Sequence, residues 1–157
     1  MKKIEIISQR NWGEPRLKKP DSLKDIKQSE TVTFMKASCP VFIHEGNIWV
    51  KHRDFFSPFI SKEKAKEIGI QINQKQKFIY KDDFGVCVLR SEAWIKVPFE
   101  VFENAMDTNK YVSPWWQLVL EFEKVIGLEE GLLCSHPWVY FFEQLTKIYI
   151  KQRNNQE

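Results

Sequence analysis

Polar and apolar residues alternate over Lys2–Ser8 (KKIEIIS) and Thr31–Ser38 (TVTFMKAS), the period of a strand with one buried face. Between them NWGEPRLKKPDS gathers Gly, two Pro and Asn and predicts a loop, and DSLKDIKQSE offers a cap with one or two helical turns. In VFIHEGNIWVKH, from Val41 to His52, a Gly-Asn pair divides two runs rich in β-branched and aromatic residues, which predicts a tight hairpin. A two-residue turn at Gly46-Asn47 sets Ile43 opposite Val50 and Val41 opposite His52. A four-residue loop from His44 to Asn47 instead sets Ile43 opposite Ile48 and Val41 opposite Val50, with His44 outside the sheet. In both registers His44 and His52 stay apart.

RDFFSPFI reads as a further loop, and Ser61 can cap a short helix, KEKAKEI, that ends at Gly69. FIYKDDFGVCVLR predicts a second hairpin, with Asp82, Asp83 and Phe84 in a type I turn and Gly85 as a left-handed bulge residue. EAWIKV is one more strand, and Pro98 opens a short helix through Met106. Ser113 and Pro114 have the N-cap and first-position chemistry of a helix that runs to Gly127. Its apolar positions cover most of the cylinder, leaving Gln117, Glu121 and Lys124, with Glu123 beside them, as the wet edge. A last helix starts at Ser135 and Pro137, turning Trp138, Phe141, Phe142, Leu145, Ile148 and Tyr149 inward and Glu143, Lys147 and Lys151 outward. The tail QRNNQE is expected to fray.

These elements predict an α+β fold: an antiparallel sheet of five to six strands, built from two hairpins and packed by two C-terminal helices. With no internal repeat or linker, residues 1–157 form one domain, with a loop-rich basic segment over 1–30 and a helical hairpin over 113–152. Length agrees, since 157 residues supply one ordinary core. The opening MKKIEIISQR breaks its apolar stretch at Glu5, and no window approaches a membrane span, so neither a leader nor a membrane contact is expected.

Charge adds an asymmetry. Residues 1–81 hold 17 Lys and Arg against 9 Asp and Glu, net +8, whereas residues 82–157 hold 7 against 12, net −5. A basic half of this kind attracts phosphate or an acidic partner unless folding interleaves the two halves. Lysine outnumbers arginine 19 to 5, a composition that suits solubility more than base reading.

Candidate chemistry is sparse. HEGNI lacks the second His at i+4 of a helical zinc motif, and Cys39, Cys87 and Cys134 form no CxxC pair, so no metal or other cofactor is expected and the thiols suit a reducing cytoplasm. Cys134, two residues before His136 at a helix start, lacks the signature of a thiol hydrolase. Asp82, Asp83, Glu92 and Lys96 follow the acidic-acidic-lysine order of metal-dependent nucleases, although Glu92 and Lys96 are four apart rather than two. Rings interleaved with cations offer another chemistry, because aromatics stack on bases and cations track phosphates. Trp12, Arg16, Lys18 and Lys19 make one such set, and Trp49, Lys51 and Arg53 another; the same rings serve equally as core, leaving solvated lysines. The all-round apolar helix after Ser113 marks Trp115, Trp116 and Leu120 as a protein interface unless other parts of the chain bury them. The reading is a non-enzymatic binding module, a small subunit or regulator of a larger assembly. It would contact a protein partner, with nucleic acid as a second candidate through the basic half; a metal-dependent nuclease or other hydrolase is the alternative.

Overall fold

The computed structural model describes residues 2–11, 15–34, 36–56, 59–60, 80–82, 85–87, 90–107, 113–126 and 136–155. Five strands, β1 (Glu5–Asn11), β2 (Glu30–Phe34), β3 (Ala37–His44), β4 (Asn47–Phe56) and β8 (Arg90–Pro98), form an antiparallel sheet in the order β1-β8-β4-β3-β2. Three short strands, β5 (Phe59–Ile60), β6 (Tyr80–Asp82) and β7 (Gly85–Cys87), make a separate sheet in the order β5-β7-β6. Helices α1 (Phe99–Met106), α2 (Pro114–Ile126) and α3 (His136–Asn155) complete an α+β fold, with the last two at the C-terminal end as expected. The predicted helix after Ser61 lies outside the described residues.

The hairpin at Gly46 takes the register with Ile43 opposite Ile48 and Val41 opposite Val50. Its turn is Glu45-Gly46, both at positive φ (49° and 74°), the geometry that matches the twist of a two-residue connection. The turn is therefore displaced one residue from Gly-Asn. Asn47 pairs with His44 in the ladder, so His44 stays in the sheet, and the Asn47 amide donates to the Glu45 carbonyl at 3.0 Å. The Gly46 carbonyl accepts from the Phe99 amide at 2.8 Å, which fixes the start of α1 against the hairpin.

A hairpin that the residues did not announce joins β2 to β3, with Phe34 opposite Ala37. TVTFMKAS is thus two strands and a reversal rather than one strand; no Gly, Asn or Pro marks its turn. The second predicted hairpin exists, with Asp82 opposite Gly85, but belongs to the small sheet. DSLKDIKQSE forms only a 3-10 turn, Asp21–Leu23.

One face of the large sheet carries Val32, Phe34, Val41, Ile48, Val50, Ala93, Ile95 and Val97, and the helices share its core, α1 against β8, α3 against β2 and α2 against the other two helices. Phe34 is fully buried, its ring centroid 4.8 Å from that of Trp138 and 6.0 Å from that of Phe141. In α3 all six residues predicted to point inward are buried, and Lys147 meets Glu143 at 3.5 Å on the outer side. The helix continues through Gln152–Asn155, which the sequence reading left to fray. Glu123, expected at the wet edge of α2, is buried, because it follows Val119 by four residues on the same helical row. At the sheet edge the Gln144 amide works as a short piece of strand: Thr33 N–H donates to its Oε1 at 2.9 Å, and its Nε2 donates to the Thr33 carbonyl at 2.8 Å. That pairing closes part of an edge open to association.

Replacing Phe34 by Ala should destabilise the chain by about 3–5 kcal/mol through the cavity it leaves. Gly46→Ala, which meets nothing within 4 Å but must hold positive φ, should cost only about 1–2 kcal/mol. Urea unfolding of both variants checks the order, and a Gly46 variant as damaged as the Phe34 variant would contradict it.

Candidate functional site

The alternation that sends Ile48, Val50, Ala93 and Ile95 towards the helices sends Trp49, Lys51, Glu92, Trp94 and Lys96 to the other side. Phe42 lies opposite Trp49 on that side, and Arg10 lies opposite Glu92 across β1 and β8. Residues 15–29 cross this second face as a strap. Leu23, fully buried, packs with Phe42, Trp49 and Trp94, and Leu17 and Ile26 flank it. Ser29 N–H donates to the Val41 carbonyl at 2.8 Å, and Lys19 Nζ donates to the Ile26 carbonyl at 2.8 Å while sitting 4.8 Å from the Phe42 ring centroid.

Beside these rings lies a charged cluster. Glu92, almost wholly buried, accepts from Arg10 Nε at 2.8 Å on one oxygen and from Arg16 on the other at 2.9 Å. Burial opposes its ionisation, but the two arginine hydrogen bonds and the charges of Lys51 and Arg10 outweigh that and hold its pKa at about 2. Lys51, half-buried, donates from Nζ to the Leu17 carbonyl at 3.3 Å. Desolvation lowers its pKa, Glu92 opposes the change, and Arg53, Arg16 and Arg10 add to it. Three cations, Arg10, Arg16 and Lys51, thus act on one carboxylate, and Arg53 stands near Lys51, with the Arg16 and Arg53 side chains reaching solvent.

The residues singled out from sequence fall into three groups. Arg16 and Lys51 come together at Glu92, Arg53 stands near Lys51, and Lys18 and Lys19 are exposed on the strap. Trp49 departs from the expectation of a ring offered to a partner: it is 6% exposed, under the strap, with Lys96 Nζ 5.3 Å from its centroid. Trp12 lies outside the described residues. On α2, Trp115 packs against the core, Leu120 is half-buried and Trp116 is 38% exposed. Arg10 was missed, because only the pairing of β1 with β8 brings it to Glu92.

Of the hydrolase set, Asp82 is on β6 of the small sheet and Asp83 lies outside the described residues. Lys96 is 2.7 Å from Glu5, and both oxygens of Glu92 are engaged by arginines, so neither is presented to a substrate. Among the described residues no three His, Cys, Asp or Glu side chains converge as metal ligands, and no helix is long and apolar enough to cross a membrane. His44 and His52 occupy opposite faces. His52 is fully buried among Phe34, Phe141 and Trp138, stacked on Trp138 at 5.0 Å, and burial drives its pKa to about 3.

Both shifts make acid destabilising. The unfolded chain takes up a proton on His52 below about pH 6.5 and on Glu92 below about pH 4.5, whereas the folded chain resists until about pH 3 and 2. Stability should therefore fall from pH 6.5 downwards, and His52→Phe should remove the part of that slope above pH 4.5. Glu92→Gln should cost about 3–5 kcal/mol at pH 7, by leaving Arg10 half-paired in a buried place. Urea titrations across pH measure both, and an unchanged slope in the His52 variant would contradict the first.

No family model, curated protein or solved structure matches this chain.

Proposed function

We propose that the chain is a non-enzymatic binding module, a small cytoplasmic subunit or regulator of a larger assembly, whose second sheet face engages a polyanion. The observation that carries this reading is the excess of Arg10, Arg16, Lys51 and Arg53 over Glu92, with Lys18 and Lys19 exposed on the strap. Such a field attracts phosphate, and an exposed guanidinium binds it in a fork even while another edge holds a carboxylate. Phe42, Trp49 and Trp94 are covered by the strap, so base stacking on them is not part of the proposal. Contact would be with the backbone of single-stranded nucleic acid, with little regard for sequence. The protein partner of the assembly would meet the α2 edge, where Trp116 is exposed. A buried Cys39 thiol suits a reducing compartment.

Fluorescence anisotropy with a labelled single-stranded oligonucleotide tests the phosphate contacts. Four neutralised phosphates give a slope of log K against log salt near −3, so affinity should drop by about 50-fold between roughly 50 and 200 mM salt. Substituting Lys18 and Arg53 together by Ala should weaken binding and make the slope shallower by about 1.4. Binding indifferent to salt, or a double variant with the original slope, would sink the proposal.

A further inference from the structure

Away from the basic face, the first residues of the chain meet α1 and α2 around a cavity of about 310 Å3. That is room for about ten waters, at the small end of the range for organic ligands. Its floor is apolar, formed by Ile4, Val101, Ala105 and Val125, the first three of them buried. Gln117 stands in the wall, and its Oε1 is buried with no hydrogen-bond partner. A buried amide oxygen left in that condition is costly, and a turn of the Gln117 side chain towards the cavity would let a donor from a bound molecule relieve it.

The rim is cationic. Lys124 is compensated by Glu121 at 3.2 Å, but among the described residues Lys2 and Lys3 form no ion pair. The same two lysines line a second recess, of about 380 Å3, in which Glu5 and Lys96 neutralise each other at 2.7 Å. Among the described residues the uncompensated charge of both recesses therefore comes from Lys2 and Lys3, and it is positive. A recess of this size, half open to solvent, takes one small molecule rather than a nucleic-acid strand, and the charge of its described residues favours an anion.

The geometry points to a binding site for a small amphipathic organic anion: a compact ring on Ile4, Val101, Ala105 and Val125, an N–H or O–H donated to Gln117 Oε1, and one carboxylate or phosphate between Lys2 and Lys3. The apolar floor supplies area, the amide selects for a donor, and the lysines select for charge. The site is independent of the polyanion face, because none of its lining residues belongs to the Glu92 cluster.

Three probes separate these contributions: indole-3-acetate has ring, donor and anion, naphthalene-1-acetate lacks the donor, and 3-methylindole lacks the anion. In an NMR titration of the full chain, indole-3-acetate should shift the backbone amides of Val101, Ala105, Gln117 and Val125. Naphthalene-1-acetate should bind about five-fold more weakly, the effect of one net hydrogen bond. Gln117→Leu should make the two acids equal. Substituting Lys2 and Lys3 together by Ala, both on the surface, should reduce indole-3-acetate to the affinity of 3-methylindole and leave 3-methylindole unaffected. The assignment is overturned if none of the probes shifts these amides up to about 10 mM. It is equally overturned if both acids bind the unaltered chain alike, or if the double lysine variant keeps its affinity for indole-3-acetate.

Discussion

Strands β4 and β8 lie side by side at the centre of the sheet, in register from Asn47 opposite Pro98 to His52 opposite Ala93. The chain between them runs from Phe56 to Arg90, so closing that loop is an entropic cost that only the buried pairs across it offset. Once formed, the register commits every second residue of both strands to one side. Ile48, Val50, Ile95 and Val97 then form one side of the core that the helices complete, while Trp49, Lys51, Glu92 and Trp94 are carried to the opposite face. A slip of one residue would exchange the two sets, place Glu92 among the rings of α3 and send valines to the solvent side. Helical core and basic face are two consequences of one pairing.

The second face shows how a polar sheet surface is made tolerable. Phe42, Trp49 and Trp94 are too large to leave in water, and the strap covers them with Leu17, Leu23 and Ile26. Covering the rings also draws Glu92 and part of Lys51 out of solvent. A buried carboxylate is expensive on its own, and the geometry answers with one arginine on each oxygen. Arg10 comes from the sheet and Arg16 from the strap, so the ion pairs fasten the cover as well as neutralising the acid. His52, on the helical face, meets the same problem differently: it remains neutral and stacks as a ring.

The edges follow from the same economy of satisfied groups. Gln144 engages both backbone groups of Thr33 on edge strand β2, and the opposite edge strand, β1, precedes the strap directly. The β1 end also brings Lys2 and Lys3 over the gap between α1 and α2, which is why a cationic rim and an apolar floor meet there.

Much of this is local in origin and legible in the chain. Alternation in VFIHEGNIWVKH and EAWIKV, caps at Ser113-Pro114 and the helical stripe from Trp138 to Tyr149 each act within a few residues, and so they determined strands, helices, the α+β class and the separation of the two histidines. The reversal between β2 and β3 escaped because no Gly, Asn, Asp, Ser or Pro stands between Phe34 and Ala37 in the sequence. Glu45, together with Gly46, holds the left-handed turn that the local pattern places at Gly46-Asn47. What only the tertiary structure decided concerns partners distant in sequence: that Trp49 is covered rather than presented, that Arg10 and Arg16 meet Glu92 some eighty residues away, and that Glu123 is inside. Burial and ion pairing depend on what arrives from elsewhere in the chain, and no local pattern encodes the arrival.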